Sequence, residues 1–186
     1  MLQDILITGL INSGVYALLA VGFSLIFGVA RIVNITHTAF YMVAAYLVYV
    51  LGHLWGWPAW LAIVAAVIAV TILGLLSYRL VIEPVREHET AVLISTIALA
   101  AIFQELMIIG FGGHYLSIPS LIDGYSQLAG VRMTNQQLLT LVIVAVTLVG
   151  VWLLLAKTRL GLAIRATAED REVANLMGMN VRHVAL

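Results

Sequence analysis

The sequence contains no cysteine, and aspartate, glutamate, lysine and arginine together supply only 10% of its 186 residues. The first absence excludes disulfides, thiolate metal sites and cysteine nucleophiles, and leaves the compartment open. The second says more, because a soluble domain carries roughly 25% charged residues. A chain this poor in charge cannot coat a globule with solvated side chains, so lipid must be its solvent. The formal net charge is zero, which argues against nucleic-acid binding by bulk electrostatics. There is no G-x-x-x-x-G-K-[ST] stretch to cradle ATP phosphates, and no H-E-x-x-H helix. His37, His53, His88, His114 and His183 are scattered among different segments. Neither a metal nor a cofactor is expected.

What the chain has in abundance is apolar surface: 63% hydrophobic residues and a mean hydropathy of +1.09. Crossing a bilayer takes about 20 apolar residues at 1.5 Å each. Stretches of that kind fall at residues 4–29, 33–54, 57–82, 90–111 and 138–156. The second is short unless it begins near Ile32. Pro58 opens the third, where its missing N–H costs least, and Pro84 helps to stop it. Residues 1–30 lack a basic leading region, and their apolar run is too long for a signal peptide, so they read as a retained helix. The expected fold is an all-α, polytopic transmembrane bundle of about five spans. It forms a single membrane domain over 1–186 with a cytoplasmic tail at 157–186.

The basic residues orient it. With five spans, one side receives Arg31, Arg79, Arg86, Lys157, Arg159, Arg165, Arg171 and Arg182, and the other only Arg132. The positive-inside rule then puts the N-terminus outside and the tail in the cytoplasm. Trp55, Trp57 and Trp60 fall at the outer turn between spans two and three, where amphipathic rings suit the headgroup layer. Gly110, Gly112 and Gly113 read as a helix C-terminus. The loop at 112–137, with Pro119, Asp123 and Arg132, is long, polar and external; it is a docking site for a binding protein or a plain connector.

Several polar positions are candidates for a path. Ser13, Ala17, Ala20, Ser24 and Gly28 share one face of the first span, either for close helix packing or as a lining, with Asn12 nearby. The segment Asn34–His37 is either a cytoplasmic turn, with Asn34 or Thr36 capping the second span, or a helix break that lines the path. The clear intramembrane acid is Glu105, beside Gln104 and roughly 22 Å along the fourth helix, nearer the outer face than the centre. It is an interfacial carboxylate or a path group. Ion-coupled carriers place ionisable groups near the midplane, so this path has no visible engine, and another chain is expected to supply one.

The tail reads as a short mixed-charge helix from about Leu160 to Met177, with Gly178 in the left-handed position after it and Asn180 capping a further helix. The chain thus stops where a sixth helix should begin. The run Thr158-Arg159-Leu160-Gly161, Arg165-Ala166, Ala168-Glu169-Asp170, Ala174 and Gly178-Met179-Asn180 resembles the permease subunits of bacterial ABC importers for branched-chain amino acids. Earlier segments are similar too: Asn34-Ile35-Thr36-His37 with Tyr41-Met42 and Tyr46, then Pro84-Val85-Arg86, Leu93-Ile94-Ser95-Thr96-Ile97 and Phe103-Gln104. Thr38, Ala44 and Ala98 stand where that family commonly has glycine. The resemblance covers essentially the whole chain in order, and family members continue past its end, so this is expected to be the N-terminal portion of a longer permease.

The resemblance implies a machine in the bacterial inner membrane. Two permease subunits form the path, ATP-binding cassette subunits supply the work, and a periplasmic substrate-binding protein delivers the amino acid. It also implies that the helix around Arg165–Gly178 couples to the ATPase, with Arg159, Gly161, Arg165, Glu169, Asp170, Ala174 and Gly178 as coupling residues. Asn12, Asn34, His37, Ser95 and Gln104 are the candidate path residues. No enzymatic activity is expected of this chain. A self-contained channel or ion-coupled carrier, or a non-transporting scaffold, are the competing readings.

Overall fold

The computed structural model describes residues 2–114, 116–117, 122, 124–128, 131–170, 173–174 and 177. Five of its helices are long and apolar enough to cross a membrane: Ile5–Ala30, Thr36–Leu54, Ala59–Val85, Glu89–Phe111 and Asn135–Lys157. Their outward faces are apolar, with Leu80 72% and Ile109 80% exposed. Water would penalise such faces, whereas hydrocarbon does not, and a helix satisfies its own backbone groups in either solvent. The architecture is an all-α polytopic bundle.

The chain divides into two compact units, one of Met1–Arg31 with Ser120–Leu186 and one of Ile32–Pro119. The first holds α1 (Leu2–Ala30), a hairpin of β1 (Tyr125–Leu128) and β2 (Val131–Thr134), α5 (Asn135–Lys157) and a short α6 (Arg159–Glu169). The strands pair antiparallel, Tyr125 opposite Thr134 and Leu128 opposite Val131. This hairpin lies within the 112–137 stretch expected to be a long, polar, external loop. Its base is sealed onto α5: the Ser126 hydroxyl donates to Asn135 Oδ1 at 2.6 Å, and the Asn135 N–H donates to the Gly124 carbonyl. Met133 is buried against Ile7 and Ile11 of α1 and Leu138 and Leu141 of α5.

The fifth helix starts a turn earlier than its apolar run. Thr134 accepts a hydrogen bond from the Gln137 N–H, while Gln137 Oε1 accepts from the Thr134 N–H. This reciprocal capping box fixes the helix start with polar residues, which a search for apolar length passes over.

The second unit packs α2 (Thr36–Tyr49), α3 (Ala59–Ser77) and α4 (Glu89–Phe111). Helix α2 runs on through a π-helical turn at Val50–Leu54, and α3 through another at Tyr78–Ile82 and a 3-10 turn at Glu83–Val85. The third span therefore passes through Pro84 by tightening into that last turn. Ala62 and Ala66 on α3 are buried, and Gly52 approaches Ala62 while Gly74 approaches Phe40, each at 3.8 Å from the ideal Cβ position. Small residues let the α2 and α3 backbones come close, which is how membrane helices gain packing energy. Ring contacts Phe40–Phe103 at 5.7 Å and Tyr46–Phe111 at 4.8 Å join α2 to α4. Trp55, Trp57 and Trp60 are all exposed at the turn between α2 and α3, and Gly56 takes the positive φ that this turn needs.

Candidate coupling helix and membrane path

Helix α6 follows α5 after a single non-helical residue, Thr158. Its hydroxyl donates back to the Leu154 carbonyl at 2.6 Å and accepts from the Gly161 N–H at 3.0 Å, capping α6. The reversal is so tight that a Cβ on Gly161 would collide with the Leu154 and Leu155 carbonyl oxygens and with Leu155 Cα. Glycine is required here because backbone meets backbone. The Thr158–Gly161 run therefore has a physical reason: a cap and a close approach that set how α6 leaves α5.

The far end of α6 is held by α1. Arg31 takes φ 57 just past the end of α1, and its N–H donates to the Phe27 carbonyl at 2.9 Å. That is a left-handed helix stop, a position where an L-residue pays about 1 kcal/mol that glycine does not. From there the guanidinium reaches the Ala168 carbonyl at 2.5 Å. Ala168 lies in the last turn of α6, where carbonyls lack helical partners and a cation is favoured. A Cβ on Gly28 would lie 3.8 Å from the Ala168 methyl, an ordinary contact.

The expected single helix from Leu160 to Met177 is broken at Asp170. Asp170 adopts extended backbone (φ −149, ψ 113), and its Oδ1 accepts from the Val173 N–H at 3.1 Å. An aspartate side chain bonds readily to the backbone N–H three residues on, so it ends one helix and caps the next turn. Of the expected coupling residues, Arg159, Arg165, Glu169 and Asp170 are exposed, whereas Gly161 and Ala174 are buried. Gly178 lies outside the described residues, as do Arg171, Met179, Asn180, Pro119 and Asp123. Within α6 the charged side chains are thus exposed, while Gly161 faces α5.

Within the second unit, the expected path residues are not all gathered in one place. Asn34 and His37 lie at the entry to α2, where residues 31–34 are non-helical. Neither Asn34 nor Thr36 caps α2: the N-cap is Ile35, which makes no side-chain cap bond. Thr36 instead donates to the Thr96 carbonyl of α4 at 2.9 Å, and the single Thr96 hydroxyl hydrogen is shared between the Leu93 carbonyl at 3.0 Å and the Val33 carbonyl at 3.3 Å. Both threonines are 0% exposed, and the Asn34 Oδ1 beside them is buried with no partner. Ser95 adjoins this knot through Thr96. Gln104 is exposed further along α4, as is Glu105, and Asn12 is exposed on α1 of the other unit.

Along α1, the face that packs is set by Ile11, Gly14 and Val29. Ile11 and Val29 are buried, and a Cβ on Gly14 would sit 2.9 Å from Val144 Cγ1 of α5. Ser13, Ala20 and Ser24 of the expected small-residue face remain exposed. Bulky Val144 selected a glycine that the spacing of small residues alone did not single out.

Residues 5–186 match the family described as branched-chain amino acid transport system / permease component. The chain belongs to this family. Among curated members of the permease family, it is 28% identical over 193 residues to the high-affinity branched-chain amino acid transport system permease protein BraD of Pseudomonas aeruginosa, covering 96% of this chain and 63% of that one. It is 26% identical over 190 residues to the corresponding LivH protein of Escherichia coli, covering 95% of this chain and 62% of that one. The chain therefore spans a little under two thirds of these relatives' length. No solved structure matches it. For the permease family, the mount of α6 gives physical content to the Thr158–Gly161 and Ala168–Asp170 runs by which the sequence resembles it.

Proposed function

We propose that the chain is a membrane-spanning permease part of an ABC importer for branched-chain or other hydrophobic amino acids. A second permease subunit completes the path, separate ATP-binding cassette subunits hydrolyse ATP, and a periplasmic binding protein delivers the substrate. The protein sits in the bacterial inner membrane with its N-terminus outside and α6 in the cytoplasm, an orientation supported by the excess of basic residues on one side. The observation that carries the reading is α6 itself. It is a short helix beyond the fifth span, capped by Thr158, pressed backbone to backbone at Gly161, and presenting Arg159, Arg165 and Glu169 outward. A helix mounted this rigidly passes a push from a partner into the spans, where a flexible loop would absorb it.

Glu169→Lys tests the assignment cleanly, because Glu169 is exposed and is not one of the groups that cap or mount α6. Reversing a charge at a matched interface costs several kcal/mol, whereas on a solvated helix it costs only tenths. With the ATPase, the partner permease and the binding protein co-expressed, Glu169→Lys is expected to lower ATPase co-purification about tenfold or more and to depress uptake in proteoliposomes. Wild-type association and uptake by a properly inserted variant would overturn the coupling role. Uptake without nucleotide would favour a self-contained channel or carrier.

A further inference from the structure

We infer that Arg31 is a positioning residue that clasps the free end of α6 to α1, so that α6 moves two spans together rather than hinging on α5 alone. The inference rests on the coupling role proposed for α6 and adds how its motion reaches the membrane. At its N-terminal end α6 is joined to α5, through the Thr158 cap and the backbone contact at Gly161. With that joint alone, a push on the exposed face would swing the helix about Gly161 and leave α1 behind. Arg31 closes the other end: its guanidinium bonds the Ala168 carbonyl across 137 residues of sequence, in the last turn of an eleven-residue helix.

Three features make this a clasp and not a passing surface contact. The backbone of Arg31 is in the left-handed region, a site that favours glycine, and an arginine there is paired with a use for its side chain. The acceptor is a terminal carbonyl of α6, where a positive charge also answers the helix dipole. Beneath the bond, α6 lies close enough to α1 that a Cβ on Gly28 would make ordinary van der Waals contact with the Ala168 methyl. α6 thus bridges α5 and α1 as a strut fixed at both ends.

The backbone conformation supplies a clean test. Arg31→Gly keeps the left-handed stop, indeed favours it, and removes only the clasp; Arg31→Lys keeps a cation that can donate to the same carbonyl. In the cysteine-free chain reconstituted in nanodiscs, spin labels on cysteines at Ser24 of α1 and Glu169 of α6 report the distance between these helices. Arg31→Gly is expected to broaden that distance distribution and Arg31→Lys to keep it narrow. In unlabelled transporter assembled with its partners, Arg31→Gly is expected to lower substrate moved per ATP by roughly threefold to tenfold, the range one solvent-exposed hydrogen bond supports, while Arg31→Lys retains most of it. An unchanged, narrow distribution in Arg31→Gly would overturn the clasp. A broadened distribution with unaltered transport per ATP would overturn its role in force transfer, and would leave the coupling role of α6 to the Glu169→Lys result.

Discussion

Thr36 and Thr96 lock α2 to α4 through two hydroxyls used in opposite directions. Thr36 donates to the Thr96 carbonyl, and the Thr96 hydroxyl, shared with Leu93 of its own helix, reaches back to the Val33 carbonyl just ahead of α2. The non-helical residues before α2 are thereby tied to the N-terminal half of a neighbouring helix. Backbone that leaves the helix within a membrane protein must find partners among side chains or in water, and here a side chain provides one.

This knot predicts a graded loss. Thr36→Val keeps shape and removes one interhelical bond, a change worth about 1 kcal/mol inside a membrane bundle. Thr96→Val is expected to cost less, because its 3.3 Å bond to Val33 is the longer of the two interhelical bonds. Unfolding of the purified chain in a denaturing detergent titration measures both. A Thr96→Val loss larger than that of Thr36→Val would contradict the assignment of the stronger bond.

Gly161→Ala is expected to dislodge α6. Its Cβ would meet carbonyl oxygens of α5, which cannot rotate away as a side chain would, and overpacking of this kind costs about 1–3 kcal/mol. Thr167, 0% exposed on α6, is the reporter. A cysteine at Thr167 should resist a thiol reagent in the wild-type background and react when combined with Gly161→Ala. Continued protection in the double variant would show that the reversal tolerates a side chain.

Thr134→Ala removes the oxygen that accepts the Gln137 N–H and is expected to lower stability by about 1 kcal/mol, with Thr134→Ser restoring most of it. Hydrogen exchange should speed up at the first turn of α5 and leave α4 unaffected. Equal acceleration in both helices would mean that the cap acts on the whole chain and not on its own helix.

Labelling tests the proposed orientation. Tyr125 on β1 is 77% exposed, and Glu169 on α6 is exposed. A single cysteine at Tyr125 should label with an impermeant reagent outside intact cells whose outer membrane has been removed, and one at Glu169 only after lysis. The opposite pattern would invert the protein in the membrane.

Much of this was legible in local sequence. Apolar runs of about 20 residues mark where helices cross, because run length is matched to hydrocarbon thickness rather than to any partner. The start of α5 was read three residues late, at Leu138, because the Thr134 and Gln137 capping box is a polar signal that apolar length hides. Asp170 carried a stop signal against an alanine-rich background that favours continuing the helix, and its carboxylate prevailed.

The long-range joints were not legible. Nothing near Arg31 in sequence announces Ala168, and the need for glycine at Gly161 appears only when α6 folds back on α5. Thr96 carries the α2 contact although Ser95 beside it is as polar, since only one of two adjacent helical residues can face a given neighbour. The sequence by itself determined the solvent, the spans and the side on which basic charge collects, because composition and periodicity act on each helix separately. Which small and polar residues meet was decided by tertiary structure alone, because a hydrogen bond or a close backbone approach exists only once two helices have been placed side by side.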